Sequence, residues 1–193
     1  MGRRKGPSGG IRSFIALPLP RRQRAMLAAL ADRLDLADPV PEDNYHITLA
    51  FLGDVPPPML AEVDLALSGL LFPPFEVEIR GIGVFGTFEA PRSLHAKVVP
   101  APPLSHLQRK VVRAAEMAGL ELRRRRFTPH VTLARFGRSR PPHDLMARIA
   151  AEGDFALAPF TVRSFVLYRS ELTRHGPFYE PLARYPEEAE IDV

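Results

Sequence analysis

The sequence of 193 residues contains no cysteine and no tryptophan. The absence of cysteine excludes disulfides, thiolate metal sites and a cysteine nucleophile. Long apolar runs are missing too, because no stretch approaches the roughly 20 apolar residues that a membrane-spanning helix needs. The basic residues after Met1 are not followed by the apolar segment of a secretory signal. We therefore expect a cytoplasmic protein with no membrane partner.

Lysine is scarce, with 3 residues against 23 arginines, and the net charge is +4. An arginine-rich surface suits a phosphate-bearing partner, because a guanidinium group can bind two phosphate oxygens at once. A genome-wide preference for Arg, Ala and Pro explains the same composition, and on composition alone we favour it. The charge pattern divides the chain into a flexible basic arm at residues 1–10, a basic body at 11–185 and an acidic tail at 186–193.

The predicted helices and strands indicate one α+β domain with antiparallel sheets. Apolar residues at alternating or helical spacing predict strands at 11–17, 45–52, 75–79, 94–99, 130–136, 160–169 and 178–185, and helices from Pro20, at 58–70, at 104–118 and at 144–151. We expect the strand at 75–79 to pair with the strand at 94–99. The sequence has no glycine-rich nucleotide loop, which argues against a Rossmann sheet.

One segment of the chain is repeated 84 positions later. Residues 46–53 read HITLAFLG and residues 130–137 read HVTLARFG, so five of the eight positions are identical. Two unrelated strands could converge on a common apolar pattern, but they would not also repeat a His, a Thr and a Gly in register. We therefore favour a duplication, in which one half of the body is a diverged copy of the other.

The repeated histidines and threonines lie on matching faces of two predicted strands. Residues i and i+2 of a strand share a face, about 6.6 Å apart along the backbone, so His46 lies beside Thr48 and His130 beside Thr132. A pseudo-two-fold axis would bring two imidazoles and two hydroxyls to one cleft. A lone strand histidine is usually structural, but this repeated pair favours a functional site.

Two histidines without a metal suit in-line displacement at a phosphodiester. One imidazole removes a proton from water while the other, protonated, supplies a proton to the departing oxygen. The Thr hydroxyls and nearby arginines would bind the non-bridging oxygens. A metal site that uses His46 and His130 is the weaker hypothesis, because no carboxylate stands at ligand spacing and HExxH is absent from the sequence. We expect no metal and no cofactor.

The paired motifs resemble those of the two-histidine (2H) phosphoesterase superfamily. Further segments are similar to its RNA 2′,3′-cyclic phosphodiesterase branch, also called 2′-5′ RNA ligase, in the same order along residues 11–185: FIALP at 14–18, NYHITLAFLG at 44–53, GVF at 83–85, FTPHVTLAR at 127–135 and VLYRS at 166–170. The resemblance implies a bilobal, pseudo-two-fold fold in which two antiparallel sheets flank a central cleft, with helices on the outside.

The resemblance also implies a reaction and a division of roles. The reaction is the metal-independent hydrolysis of RNA ends that carry a 2′,3′-cyclic phosphate to 2′-phosphates, with His46 as proton donor and His130 as proton acceptor. By microscopic reversibility the same site could join such an end to a 5′-hydroxyl without ATP. We expect a monomer with RNA as its partner.

Arg135 is a further candidate for binding the phosphate. In an unbroken strand it lies on the face opposite His130, although a long side chain at a strand end can still reach around. Arg123–Arg126 can steer an RNA strand through its phosphates, and a solvated charge run is an equal alternative. Phe14, Phe51 and Tyr168 can stack a terminal base, but core packing is the default for each.

His95 occupies a position where the resemblance leads us to expect an aromatic residue, usually Trp. Like His106, His143 and His175, it has no repeated partner, so we interpret it as a surface or structural residue. Besides the RNA phosphodiesterase, two alternatives stay open. One is a 2H relative that acts on small cyclic nucleotides or another cyclic phosphate. The other is a non-catalytic RNA-binding module, against which the paired His and Thr argue because binding alone needs no titratable pair.

Overall fold

The computed structural model describes residues 9–87, 89–123, 126–137, 140–174 and 176–186. The predicted arm at 1–10 and tail at 186–193 lie almost entirely outside these ranges, as do Arg124, Arg125 and His175. Within the described ranges, no helix is long and apolar enough to cross a membrane.

Strands and helices are interspersed along the described chain, and most begin close to the predicted residues. The strands are β1 (Ile11–Pro18), β2 (His46–Val55), β3 (Phe75–Val77), β4 (Ile79–Gly86), β5 (Pro91–Val98), β6 (His130–Arg135), β7 (Phe160–Val162), β8 (Phe165–Thr173) and β9 (Gly176–Tyr185). The helices are α1 (Arg21–Arg33), α2 (Pro57–Ser68), α3 (Pro102–Met117) and α4 (Leu145–Ala151), with a 3-10 turn at Glu42–Asn44. Proline stands at or just before the start of α1, α2 and α3, where its fixed φ suits the first helical turn.

Seven strands form one antiparallel sheet in the order β4-β5-β6-β2-β1-β8-β9, and β3 pairs with β7 in a small second sheet. The expectation of two sheets flanking a cleft is therefore wrong, because one large sheet runs through both halves of the repeat. The halves exchange their outer strands: β4 of the first half pairs with β5 of the second, and β8 of the second pairs with β1 of the first. The part of the sheet from β4 to β8, in the order β4-β5-β6-β2-β1-β8, is consequently symmetric about the β6–β2 pair.

The two halves meet where β2 pairs with β6. Ile47 lies opposite Val131, and these residues are separated by the same 84 positions as the sequence repeat. Each strand also carries one extra residue at the equivalent place, Leu49 in β2 and Leu133 in β6, where the pairing with the neighbouring strand shifts. Beyond such a bulge the alternation of side chains is reversed.

One face of the large sheet is covered by helices, and the other carries the repeated polar residues. The buried residues of β2 and β6 join a core with residues from three helices: Ile47, Leu49, Val131 and Leu133 with Leu27, Leu30, Val63, Leu107 and Val111. The alternating, half-buried residues are His46, Thr48, His130 and Thr132. The predicted alternation is therefore confirmed.

Two predicted strands are split in the structure. The segment at 75–79 divides into β3 and β4, so Phe75 and Val77 pair with β7, and Ile79 alone of this segment lies opposite β5, at Val98. The segment at 160–169 likewise divides into β7 and β8. Apolar alternation tells which face of a strand is buried but not which strand it pairs with, so the sequence pattern does not reveal these breaks.

Candidate active site

His46, the first residue of β2, is held through both ring nitrogens. Its Nδ1 donates a hydrogen bond to the carbonyl oxygen of Asn44 at 2.7 Å, and its Nε2 lies 3.1 Å from the hydroxyl of Thr48. Because a carbonyl oxygen only accepts, Nδ1 carries the proton of the neutral ring and Nε2 presents a lone pair. The Asn44 amide donates to the carbonyl oxygen of Pro177 at 2.7 Å, which ties this turn to β9.

His130, the first residue of β6, is oriented in the same way. Its Nδ1 donates to the carbonyl oxygen of Thr128 at 2.7 Å. Thr128 stands 84 positions after Asn44, so the repeat reproduces the carbonyl as well as the imidazole. Both histidines therefore adopt the tautomer that leaves Nε2 for proton transfer.

The pairing of Ile47 with Val131 sets the relation between the two motifs. With this antiparallel register, His46 stands across from Thr132 and Thr48 across from His130 on one face of the sheet. The Cβ atoms of directly opposite residues lie about 4.5–5.5 Å apart. The structure thus brings the four predicted site residues together as two crossed His–Thr pairs.

Arg135 lies on this same face because of the bulge in β6. Leu133 and Ala134 are both buried, so the alternation is reversed and Arg135 is exposed on the side of His130. The expectation that Arg135 starts from the opposite face is therefore wrong, since it assumed an unbroken strand. Phe51 is turned in the same way by the bulge in β2, and its 66% exposure contradicts the core role expected for it.

An aromatic wall backs His46. The ring centroid of Phe14 lies 4.8 Å from that of His46 and is stacked on Tyr168 at 5.2 Å. Tyr179 of β9 approaches His46 edge-on at 5.3 Å. The sequence reasoning did not single out Tyr179, because it lies outside the repeated segments and reaches the site only through the pairing of β9 with β8.

A second wall backs His130. His95 stacks on Phe85 at 4.3 Å, and the ring centroid of His130 lies 5.2 Å from that of His95 and 4.8 Å from that of Phe85. His95 is only 5% exposed, and its Nδ1 is buried with no hydrogen-bond partner among the described residues. The surface interpretation of His95 is therefore wrong; the only signal in the sequence was that the resemblance places an aromatic residue there.

The surroundings of the histidines favour their neutral forms. Burial lowers the pKa of His46 to about 4 against the opposing hydrogen bond to Asn44, and the charges of Arg135 and His130 lower it further. The pKa of His130 is lowered by burial and by Arg135, again against its carbonyl partner. Burial, His130 and Lys97 lower the pKa of His95 to about 4. These three imidazoles of the site are therefore uncharged near neutral pH.

The chemistry of this face suits an anion. Arg135, a cationic group of this face, has no carboxylate within salt-bridge distance in the part of the chain that the structure describes. Two hydroxyls and two imidazole nitrogens converge beside it. Among the described residues, no three His, Asp or Glu side chains are grouped closely enough to hold a metal ion. The arrangement supplies hydrogen bonds and positive charge for a phosphate, together with two groups that transfer protons.

Comparison with known proteins identifies the family of this chain. The model of the 2′-5′ RNA ligase superfamily matches residues 19–174. The chain belongs to this superfamily. A relative from Geobacillus stearothermophilus, named RNA 2′,3′-cyclic phosphodiesterase, is 35% identical over 179 residues, which are 90% of this chain. The chain spans 56% of the length of that relative.

Two further proteins match over more of their own length. A protein of the same name from Aeropyrum pernix is 35% identical over 144 residues, 74% of this chain and 82% of that relative. The crystal structure of TT0787 from Thermus thermophilus has a TM-score of 0.77 at 28% identity and covers 93% of this chain and 100% of its own. The α+β fold with antiparallel sheets is thus shared with this solved structure.

Proposed function

We propose that this member of the 2′-5′ RNA ligase superfamily hydrolyses the 2′,3′-cyclic phosphodiester at an RNA end to a 2′-phosphomonoester without a metal. Two relatives at 35% identity carry the name RNA 2′,3′-cyclic phosphodiesterase. The observation that carries the proposal is the pair of imidazoles. In each, Nδ1 is bound by the backbone carbonyl of the residue two positions earlier, so that Nε2 is left for proton transfer. The same site in reverse would join a cyclic end to a 5′-hydroxyl without ATP.

In this mechanism His130 is the proton acceptor and His46 the proton donor. Nε2 of neutral His130 takes a proton from water while the water oxygen bonds to phosphorus in line with O3′. The P–O3′ bond breaks, and O3′ receives the proton from Nε2 of protonated His46, so the phosphate stays on O2′. Thr48, Thr132 and Arg135 bind the non-bridging oxygens, where negative charge builds up in the transition state.

The donor role requires that the substrate itself charges His46. Burial keeps the pKa of His46 at about 4 in the protein alone, so the ring is neutral at pH 7. A phosphodiester anion within hydrogen-bond distance favours the imidazolium and raises that pKa. His46 thus takes up a proton as the cyclic phosphate binds. The proton donor is therefore formed only when a leaving group is bound.

We also propose that residues 11–185 form one bilobal domain that arose by duplication, with the site between its halves. Three observations support this: the repeat at 84 positions, the symmetric order of six strands, and the bulges at equivalent places in β2 and β6. The site lies at the Ile47–Val131 pair, where the two halves meet.

The test is an assay with an oligoribonucleotide that ends in a 2′,3′-cyclic phosphate, in the presence of EDTA. We expect turnover to a 2′-phosphate, and a loss of kcat of about 10²- to 10⁴-fold in each of His46→Ala and His130→Ala. The double variant should be far less than multiplicatively worse, because both groups act in one transition state. His106→Ala, on α3 and away from this face, is the matched control.

Three results would contradict the mechanism. A 3′-phosphate product would refute O3′ as the leaving group. A near-normal rate in a single variant would show that the substituted histidine takes no part in the reaction. Loss of activity in EDTA would indicate a metal-dependent site. A 2′,3′-cyclic mononucleotide is assayed in parallel. If its kcat/KM matches or exceeds that of the oligonucleotide, the substrate is a small cyclic nucleotide rather than an RNA end.

A further inference from the structure

The two histidines have different neighbours, although the strands around them are equivalent. Each histidine has one residue opposite it on the neighbouring strand, β1 or β5, and one residue turned toward it by the bulge of its own strand. These positions hold Pro18 and Phe51 on the side of His46, and Lys97 and Arg135 on the side of His130. One flank is therefore apolar and aromatic, while the other carries two cations.

The cationic flank is built around Lys97. The register places Lys97 directly opposite His130 on the same face of the sheet. Its side chain passes over Gly83, where a Cβ atom would lie 2.8 Å from the Cε atom of Lys97. Among the described residues, no carboxylate lies within salt-bridge distance of Lys97 or Arg135. Two exposed cations without a carboxylate partner on a face of hydroxyls and imidazoles are suited to phosphate oxygens.

The aromatic flank ends in Phe51. Its ring is 66% exposed and lies 6.3 Å from Phe14, whose own ring is buried against His46 and Tyr168. Phe51 thus extends a packed aromatic wall into solvent beside His46. An exposed phenyl ring at such a place is a stacking surface for a nucleobase.

The chemistry of the reaction relates these flanks to the substrate. O3′ belongs to the terminal ribose, so the proton donor lies on the nucleoside side of phosphorus and the attacking water on the other side. With His46 as donor, the ribose and its base lie toward Phe51. The flank of His130 then holds the water and the oxygens of the phosphate.

We infer that the RNA end binds in one orientation, with its terminal base stacked on Phe51 and its phosphate oxygens bound by Lys97 and Arg135. The inference rests on the proposed function, because that function assigns the donor role to His46. Phe51 and Lys97 are then the residues that determine orientation in an otherwise symmetric site.

Binding of two small probes to Phe51→Leu and Lys97→Met tests the inference. The probes are inorganic phosphate and adenosine 2′-monophosphate, measured by calorimetry at several salt concentrations. Phe51→Leu should weaken the nucleotide about 5- to 100-fold and leave phosphate unchanged, because only the base loses its stacking partner. Lys97→Met should weaken both probes about 2- to 5-fold and make their binding less dependent on salt, because one phosphate contact is removed.

Lys110→Met is the matched control, since Lys110 lies on α3 and donates to the carbonyl oxygen of Leu71 at 3.0 Å. Thermal unfolding confirms that each variant is folded. The inference is overturned if Phe51→Leu weakens both probes equally or neither, or if Lys97→Met leaves phosphate binding and its salt dependence unchanged, even where the cyclic RNA end is hydrolysed. If the probes respond as expected but the native chain hydrolyses no cyclic RNA end, the proposed function fails and the orientation of the nucleotide stands.

Discussion

Burial keeps His46, His95 and His130 uncharged in the folded protein near neutral pH. The pKa values of His46 and His95 are lowered to about 4, and that of His130 is lowered as well. In the unfolded chain these groups return to an ordinary pKa of about 6.5. As the pH falls below about 6.5, the unfolded state therefore binds protons that the folded state does not, and folding is penalised until the folded-state pKa is reached.

We predict that the free energy of unfolding decreases between pH 6.5 and pH 4 and does not depend on these groups above that range. Each histidine that stays neutral when folded contributes a slope of up to about 1.4 kcal/mol per pH unit. His95→Phe keeps a ring on Phe85 but removes one such group, so its acid slope should be smaller. Urea unfolding at a series of pH values measures this, with His106→Gln on α3 as control. An unchanged slope in His95→Phe would show that His95 is charged when folded.

At the scale of strands, one extra residue in β2 and one in β6 decide what the site presents. Without the bulges at Leu49 and Leu133, Phe51 and Arg135 would point toward the helices. The neighbouring pair β4–β5 supports the site from the side. Gly83 lies opposite His95 in that pair and leaves room for the buried imidazole.

Gly83→Ala is predicted to destabilise the protein and to lower kcat together. A Cβ at this position would lie 2.8 Å from Nε2 of His95 and 2.8 Å from Cε of Lys97, and the stacked imidazole must move to make room. Overpacking of this kind costs about 1–3 kcal/mol. Because His95 touches His130, the shift reaches the site. Gly69→Ala is the matched control, since a Cβ there meets nothing within 4 Å and φ is −82°. Urea unfolding and a kcat assay measure both effects, and native values of both in Gly83→Ala would contradict the contact.

At the scale of the whole molecule, the exchange of outer strands joins the two halves through backbone hydrogen bonds. β4 completes the sheet of the second half, and β8 completes that of the first. The small sheet repeats this exchange, because β3 comes from the first half and β7 from the second. Neither half has a complete set of hydrogen-bonded strands within its own sequence.

We predict that the fragments 9–88 and 89–186 do not fold separately. Each alone leaves outer strands with unpaired backbone groups and exposes the apolar residues of the shared core. An equimolar mixture should recover a cooperative thermal transition and hydrolysis of the cyclic RNA end. Circular dichroism of each fragment and of the mixture measures the first, and the assay above the second. A cooperative transition in either fragment alone would show that the halves are independent.

The placement of the four candidate site residues was largely predictable because they belong to a repeat. The pattern of His and Thr at i and i+2 places both on one strand face by local geometry alone, and the register of Ile47 with Val131 agrees. The face of the sheet on which Arg135 lies was not predictable, because a bulge changes neither composition nor apolar spacing. Tyr179 and His95 were missed for a related reason, since each reaches a histidine through pairing between strands distant in sequence.

By itself the sequence determined the kinds of elements, the buried face of each strand, the repeat at 84 positions and the chemistry available at His46 and His130. These follow from local rules, namely side-chain periodicity and the pKa range of imidazole. Only the tertiary structure decided that one sheet passes through both halves, that two bulges turn Phe51 and Arg135 onto the site, and that burial lowers the pKa of the histidines. The physical reason is that strand partners, register and burial are set by contacts between distant segments.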